Sequence, residues 1–217
     1  MSNYILKYSR DDRVKYISHL DFMRLFHRAV RRSGLPFMFS QGFNPHPIMT
    51  VAQPLSVGVT SDCEYMKVGF DGEYTEKELL ECLNSAMPPG YEIKAARRVE
   101  GKEIDITKLN RAEYTVEIEC EGNVDIDKFM KNSELKVMKK SKSGIKESDI
   151  RPYIYNLEFV KRDGNINTYK MCLSVGSEYN LKPDSVVDAM EKYSDNFKAE
   201  FFAVHRDRMT WDGKEYM

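Results

Sequence analysis

The order in which strand-like and helix-like apolar patterns follow one another constrains the fold of this chain most. Over residues 4–99 the patterns predict a strand, a helix, further strands, a second helix and a returning strand. The strands are expected at 4–10, 37–40, 48–53, 63–70 and 91–99, and the helices at 19–33 and 75–87. This is the element order of a ferredoxin-like βαββαβ unit.

A similar order returns in the second part of the chain. Strands are expected at 113–120, 135–140 and 199–209, with a hairpin over 155–175 and helices at 125–131 and 182–193. We therefore predict an α+β fold of two tandem ferredoxin-like halves, with antiparallel sheets and the helices on one face. The halves are expected at residues 1–100 and 112–217, joined by a linker near 100–111.

The helix at 19–33 has well-defined ends. Ser18 is suited to cap its first turn, with Asp21 at the third helical position, and Gly34 followed by Pro36 is a common helix stop. At about 100° per residue, its polar residues fall within an arc of about 140° opposite the apolar side. They are Asp21, Arg24, His27, Arg28, Arg31 and Arg32.

The arginine face allows two interpretations. Charged helix faces are commonly the solvated side of a helix that packs on a core. However, all four cations are arginine, whose planar fork suits phosphate or carboxylate, and only Asp21 is placed to pair with one of them, Arg24. The second interpretation is therefore a surface that receives an external anion.

The segment "SQGFNPHP" (40–47) predicts a stiff loop directly after this helix. Pro45 and Pro47 fix their own φ and disfavour the helical region for the residues before them, which are Asn44 and His46. Gly42 permits a φ that other residues avoid. The loop also carries Ser40 and Phe43, and we expect it to present its side chains in set directions.

Histidine and cysteine positions argue against a metal site. His19 falls towards the apolar side of the first helix, where it is either a packed residue or a catalytic one, and His19 and His27 are too far apart to bind one metal. Cys63, Cys82, Cys120 and Cys172 contain no CxxC pair, so we expect reduced thiols in a cytoplasmic protein. No iron–sulfur cluster, other bound cofactor or membrane span is predicted.

Charge is unevenly distributed along the chain. The formal net charge of −1 argues against a strongly nucleic-acid-binding protein, but the first 60 residues contain eight Lys and Arg against three Asp and Glu. A second basic run, Lys139, Lys140, Lys142 and Lys146, precedes Arg151. This run is either a solvated loop or an extension of the anion surface across both halves.

Three long segments resemble the family of uncharacterised radical-SAM-linked proteins. They are "SHLDFMRLFHRAVRRSGLPFMFSQGFNPHP" (18–47), "AQPLSVGVTSDCEY" (52–65) and "KSGIKESDIRPYI" (142–154). Members are fused behind a radical S-adenosylmethionine (SAM) domain or encoded beside such an enzyme, so the resemblance implies a radical SAM partner. Matching positions include Ser18, His19, Asp21, Arg24, Arg28, Arg31, Ser40, Gly42, Phe43, His46, Glu64, Lys146, Asp149 and Arg151.

Three functions follow as hypotheses. Because the chain lacks the closely spaced cysteines of a radical SAM enzyme, the first is a non-catalytic accessory module that binds RNA, such as tRNA or rRNA, or presents a substrate. The predicted fold is similar to that of CRISPR repeat-processing endoribonucleases, which is an analogy of architecture alone. The anion- or RNA-binding residues would be Arg24, Arg28, Arg31, Arg32, Ser40, Gly42, Phe43, Asn44, His46, Lys146 and Arg151.

The alternatives come from other functional classes. One is a metal-independent endoribonuclease in which His19 or His46 is the general base, since imidazole titrates near neutral pH. The other is a protein-only scaffold whose arginine face docks an acidic surface of the radical SAM enzyme.

Overall fold

The fold is mixed α+β, with a large, mostly antiparallel sheet and few helices. The structure is a computed structural model and describes residues 2–100, 105–141 and 144–217. The chain divides into two compact units. Met1–Leu109 and Arg208–Met217 form the first, and Asn110–Asp207 form the second. The segment 208–217, which the sequence prediction assigned to the second half, therefore groups with the first unit.

Four strands of the first unit pair side by side in antiparallel fashion. Its elements are β1 (Ser2–Arg10), α1 (His19–Ser33), β2 (Met49–Val51), β3 (Val59–Phe70), α2 (Glu76–Ala86) and β4 (Tyr91–Arg98), with short 3₁₀ turns at Asp12–Val14 and Ile106–Lys108. β4 pairs with β1, β1 with β3, and β3 with β2, each time antiparallel. The structure thus has two strands, β2 and β3, between its two helices, where the sequence predicts three strand segments.

Helix α1 begins and ends where its sequence signals predict. The Ser18 side chain accepts a hydrogen bond from Asp21 N at 3.2 Å, and Gly34 ends the helix at φ 78°, a left-handed conformation suited to glycine. Phe22, Phe26 and Ala29 are buried, which confirms the predicted apolar side. The helix is therefore fixed by local signals and by one buried face.

The core of the first unit lies against one side of β1 and β3. Alternate residues of a strand point to the same side of a sheet, and here these residues are Tyr4, Leu6 and Tyr8 on β1 and Met66, Val68 and Phe70 on β3. Both α1 and α2 contribute side chains to this same cluster. Because α1 packs its apolar side on this core, its opposite, polar side faces solvent.

Two strand predictions in the first unit are wrong in extent. Residues 37–40 make only isolated bridges, Phe37 with Phe70 and Phe39 with Pro47. The strand predicted at 48–53 covers only Met49–Val51. These segments still make single backbone hydrogen bonds to their neighbours: Met38 N donates to Gly69 O of β3 at 2.9 Å, and Ile48 N donates to Met38 O at 2.8 Å.

The second unit contains most of the remaining strands and two helices. Its elements are β5 (Arg111–Glu121), α3 (Ile126–Met130), β6 (Lys136–Ser141), β7 (Gly144–Asp149), β8 (Ile154–Asp163), β9 (Ile166–Ser174), α4 (Pro183–Tyr193) and most of β10 (Lys198–Trp211). The last residues of β10, from Arg208 onward, and the short β11 (Lys214–Glu215) belong to the first unit. β5 pairs with β9 and β9 with β8, both antiparallel. The predicted hairpin is confirmed, since β8 and β9 are joined at Gly164 and Asn165.

The segment after α3 differs from the prediction. The strand predicted at 135–140 is present as β6, but the lysine run from 139 to 146, predicted as a solvated loop or an extension of the anion surface, lies largely on strands. β6 and β7 pair with each other in a separate two-stranded sheet. Its base is held by Leu135 N, which donates to Asp149 Oδ1 at 2.7 Å, and by Ile150 N, which donates to Leu135 O at 2.9 Å. Lys142 lies outside the described residues. These backbone contacts at Leu135 stabilise the pairing of β6 with β7, a strand that the sequence did not predict.

Residues 105–111 of the predicted linker are structured. Residues 101–104 lie outside the described part of the chain, but Ile106 and Leu109 are buried, and Asp105 caps the 3₁₀ turn between them. β5 then begins at Arg111. In the described ranges, no helix is both long enough and apolar enough to cross a membrane.

Candidate nucleic-acid interface

Three arginines form an exposed stripe along α1, which we call the arginine stripe: Arg24, Arg28 and Arg31. Positions separated by three, four and seven residues lie on one side of a helix. The Arg24 side chain is 70% exposed and pairs with Asp21 at 3.3 Å. Within residues 2–100, 105–141 and 144–217, the side chains of Arg28 and Arg31 make no hydrogen bond or ion pair, and both residues are exposed. Two of the three guanidinium groups therefore have their full donor capacity available.

Arg32 has a different environment from the arginine stripe. It donates from Nη2 to Ala86 O, at the end of α2, over 2.6 Å. A guanidinium that binds a carbonyl at a helix C-terminus also meets the negative end of the helix dipole. Arg32 thus links α1 to α2, and one of its guanidinium nitrogens is bonded within the first unit.

The loop after α1 is closed by hydrogen bonds between Ser40 and His46. Ser40 N donates to His46 O at 2.8 Å, and His46 N donates to the Ser40 hydroxyl at 3.1 Å. The Ser40 hydroxyl also lies 2.9 Å from His46 Nδ1. Gly42, inside the loop, has φ +126°, which other residues rarely adopt. We call residues 40–46 the closed loop.

The closed loop presents an aromatic ring to solvent. Phe43 has a relative exposure of 113%, the highest among the large hydrophobic side chains in the described residues. Asn44 is exposed beside it. Exposed aromatic side chains that have no packing role are a feature of surfaces that stack unpaired bases.

A chain of ring contacts connects α1 to the closed loop. His27, on the same side of α1 as the arginine stripe, has its ring centroid 5.3 Å from that of Phe37. The Phe37 ring in turn lies 6.4 Å from that of Phe39, next to the loop. Phe37 itself is buried and stacks on Phe70 of β3. The arginine stripe and the closed loop are therefore neighbours on one unit, supported by the same core.

Two predicted site residues lie in the second unit. Lys146 is exposed on β7, in register with Lys139 of β6. Arg151 is half-buried, donating from Nε to Met130 O at 3.0 Å and from Nη1 to Ile154 O at 3.3 Å. Its guanidinium therefore connects two backbone segments of the second unit, a role that the motif "SDIRPYI" did not reveal.

His19 lies at a small cavity in the first unit. The cavity has a volume of about 10 Å³ and is lined by Tyr8, Arg10, His19, Phe22, Val51, Leu55, Glu64 and Tyr91. Arg10 and Glu64 are 4% and 0% exposed. Such burial of charged residues is rare without partners.

Arg10 organises the segment that leads into α1. Its Nε donates to Val14 O at 3.2 Å, and its Nη2 donates to Lys15 O and Ile17 O, each at 2.5 Å. Sequence reasoning missed Arg10 and Tyr91. The alternation of Tyr4, Leu6 and Tyr8 on β1 was the available signal, because it places Arg10 on the same, core-facing side.

The described residues contain no group of three or more His, Cys, Asp and Glu side chains arranged to hold a metal ion. The four cysteines, which are all described, form no disulfide; Cys63 and Cys120 are buried.

Comparisons with solved structures identify relatives in fold. The chain resembles one in a crystal structure of a Cbf5-Nop10-Gar1 complex, with a TM-score of 0.52 and 9% sequence identity, over 95% of this chain and 48% of that one. It also resembles a chain in a structure of an H/ACA ribonucleoprotein (RNP) bound to a substrate RNA containing 2′-deoxyuridine, with a TM-score of 0.49 and 10% identity, over 98% and 49%. The chain thus spans about half the length of these two solved chains. At these identities the likeness concerns the fold alone.

Sequence comparison gives a family. No curated protein matches the sequence. One family model matches residues 3–183, which covers most of the chain, including α1, the closed loop and the β6–β7 sheet. The chain therefore belongs to the family described as an uncharacterized protein conserved in bacteria (DUF2344).

Proposed function

We propose that this protein is a non-catalytic accessory module that binds unpaired RNA and presents it to a separate radical SAM enzyme. RNA binding is supported by one observation, which is that unpaired cations lie near an exposed ring. The side chains of Arg28 and Arg31 lack partners among the described residues, and Phe43 is exposed to solvent on the neighbouring closed loop.

The arginine stripe fits a phosphate backbone. Phosphate contacts supply most of the affinity of proteins for nucleic acids, and arginine binds phosphate oxygens with two parallel hydrogen bonds. Only one carboxylate among the described residues, that of Asp21, pairs with the stripe. The basic first quarter of the chain supports the same assignment despite the net charge of −1.

The closed loop favours unpaired nucleotides over a duplex. Bases within a duplex are already stacked on one another, whereas bases in single strands and loops have faces that aromatic side chains can cover. Phe43 supplies one such ring, and Phe39, 48% exposed, supplies a second. The hydrogen bonds between Ser40 and His46 reduce the entropy lost when this loop binds a ligand.

We also infer that each unit is ferredoxin-like. The order β4-β1-β3-β2, antiparallel throughout and with two helices in one core cluster, supports this in the first unit. In the second unit, support comes from the antiparallel order β5-β9-β8 and from α4, with the β6–β7 sheet as an insertion.

The radical SAM partner rests on the sequence resemblance at residues 18–47, 52–65 and 142–154. Such a partner would supply the chemistry, since the chain contains no closely spaced cysteines for an iron–sulfur cluster. The same cysteine spacing supports a cytoplasmic location.

Fluorescence anisotropy with labelled single-stranded fragments of tRNA and rRNA, measured over a range of salt concentrations, tests RNA binding. We expect salt-sensitive binding by the wild type. Each phosphate contact removed from a single strand should flatten the slope of log K against log salt by about 0.7, hence by about 1.4 for the Arg28→Ala/Arg31→Ala double variant.

A matched control removes the same charge elsewhere on the first unit. Lys77→Ala/Lys94→Ala deletes two exposed cations that pair with Glu81 and Glu92, and it should leave the slope nearly unchanged. Salt-independent binding, or equal slopes for the two double variants, would rule out RNA recognition by the arginine stripe.

Co-purification tests the partner. The tagged protein is purified from cells that also express a radical SAM enzyme encoded beside it, with and without ribonuclease. Association that ribonuclease removes supports an RNA-bridged complex. Association that survives ribonuclease but is lost in Arg28→Ala/Arg31→Ala would instead indicate direct protein docking, and no association would refute the partnership.

A further inference from the structure

The polar cavity below the start of α1 is assembled by three neighbouring strands. Arg10 of β1 is in register with Tyr91 of β4, and Tyr8 of β1 is in register with Glu64 of β3. Directly opposed residues of adjacent strands point to the same side of the sheet. His19, one helical turn before Phe22, lines the cavity from above.

The Tyr91 hydroxyl is the unusual group in this cavity. Tyr91 is 6% exposed, and among the described residues its buried hydroxyl has no hydrogen-bond partner. Its ring is fixed, because its centroid lies 5.1 Å from that of Phe22, which stacks on Tyr8 at 5.0 Å. A buried polar group without a partner is destabilising, and such groups are normally satisfied by protein or by an ordered molecule.

The local electrostatics favour a neutral hydroxyl on Tyr91. Burial raises the pKa of Tyr91, and the nearby Arg10 guanidinium lowers it by a smaller amount. The phenol is therefore protonated at neutral pH and both donates and accepts a hydrogen bond. Arg10 is occupied by the carbonyls of Val14, Lys15 and Ile17, so the phenol, rather than the guanidinium, is left to bind a ligand.

The size of the cavity limits the ligand. A volume of about 10 Å³ holds about one water molecule. A phosphate or a base is too large, whereas a single O–H group fits. Metal coordination is not involved, since the described residues contain no cluster suited to a metal ion.

We propose that this cavity is a binding site for one O–H group, held by the Tyr91 hydroxyl beside His19 and Glu64. The group belongs either to a water molecule or to a hydroxyl of a bound ligand. In the second case the inference rests on the proposed function, because a ribose 2′-hydroxyl is the O–H group that distinguishes RNA from DNA. The cavity lies close to the proposed RNA surface, since His19, which lines it, begins the helix that carries the arginine stripe.

The first experiment is crystallographic and needs no RNA. High-resolution structures of the wild type and Tyr91→Phe are compared, because this change removes only the hydroxyl. A density peak within hydrogen-bond distance of Tyr91 Oη in the wild type, lost in Tyr91→Phe, supports the site and identifies water as its occupant.

The second experiment compares an RNA oligonucleotide with its 2′-deoxy counterpart by fluorescence anisotropy. If a ribose hydroxyl enters the cavity, the wild type prefers RNA by about fivefold, the value of one hydrogen bond, and Tyr91→Phe loses this preference. Arg28→Ala, as control, should weaken RNA and DNA binding equally and keep their ratio.

The outcomes separate the two proposals. No density peak at Tyr91 together with equal RNA and DNA affinities, in wild type and variant alike, would overturn the cavity as a hydroxyl site while leaving RNA binding intact. A wild type that binds neither oligonucleotide would refute the proposed function, and the crystallographic comparison would still decide the cavity.

Discussion

The imidazole ring of His27 lies 5.3 Å from the phenyl ring of Phe37, at an interplanar angle of 52°. His27 lies on α1 between Arg24 and Arg28, and Phe37 precedes the closed loop by three residues. Phe37 is held by the core through Phe70. This contact fixes the arginine stripe and the closed loop relative to each other.

The His27–Phe37 contact yields the first prediction. His27→Ala should lower the free energy of unfolding by about 1 kcal/mol, the usual value of such a ring pair, and should weaken RNA binding although His27 carries no phosphate contact. His27→Phe, which keeps a ring, should restore both. Urea unfolding and anisotropy measure the two effects, and equal RNA affinity in all three proteins would contradict the positioning role.

Ser40 provides a test of the closed loop. Ser40→Ala removes the hydroxyl that lies 3.1 Å from His46 N and 2.9 Å from His46 Nδ1. We expect faster amide hydrogen exchange in residues 40–46 and a Kd for RNA raised about fivefold, for the loss of about 1 kcal/mol. Ser85→Ala removes a similarly exposed hydroxyl, bonded to Cys82 O on α2, and should change neither quantity.

Phe43 should matter for binding and not for stability. Because its side chain is fully exposed, Phe43→Ala should leave the urea midpoint unchanged and cost about 1–3 kcal/mol of RNA affinity, the range for one stacked base. Phe43→Tyr should retain most of the affinity. The control is Phe201→Ala, an exposed ring of the second unit, and an equal loss of affinity there would argue against stacking on the closed loop.

Two glycines with similar backbone conformation should respond differently to alanine. A Cβ at Gly122 (φ +75°) would lie 1.4 Å from Asn196 O, whereas at Gly164 (φ +60°) no atom lies within 4 Å. Gly164→Ala should cost about 1–2 kcal/mol for the left-handed conformation alone. Gly122→Ala should cost roughly 1–3 kcal/mol more, since the backbone must move; similar urea midpoints for the two variants would contradict the close approach.

The stabilising contribution of the Glu78 carboxylate to the first unit should be lost in acid. Hydrogen bonds from the Thr75 backbone N at 2.7 Å and from its hydroxyl at 2.8 Å lower the pKa of Glu78. A carboxylate whose folded pKa is lowered stabilises the protein above its unfolded pKa, and this contribution is lost as pH falls through the folded pKa.

The measurement compares wild type with Glu78→Gln. The wild type should be more stable at neutral pH, and the difference should begin to shrink near pH ~4.3, where free glutamate titrates, and disappear as the pH falls further through the lower folded pKa of Glu78. Glu81→Gln, on the same helix but away from Thr75, should show a smaller change with pH. A constant difference between wild type and Glu78→Gln at all pH values would exclude the capping carboxylate as its cause.

The sequence predicted those parts of the fold that depend on nearby residues. Ser18 and Gly34 set the ends of α1 within a few residues, and the apolar spacing of Phe22, Phe26 and Ala29 sets its buried side. The same periodicity predicted the charged side of the helix. The prolines and Gly42 predicted a stiff loop after it. The α+β class followed in the same way, since each helix and most strands carry their own signal.

Tertiary structure decided whatever depends on residues far apart in the chain. The pairing of β6 with β7 in a separate sheet depends on the closure of Leu135 onto Asp149, and the bonds of Arg151 depend on where Met130 O lies. The burial of Arg10 beside Tyr91 follows from strand register. Helix caps and turns depend on adjacent residues, so the sequence determined the helix ends and the arginine face. Strand register and burial depend on partners distant in sequence, so only the tertiary structure decided the strand pairing and the polar cavity.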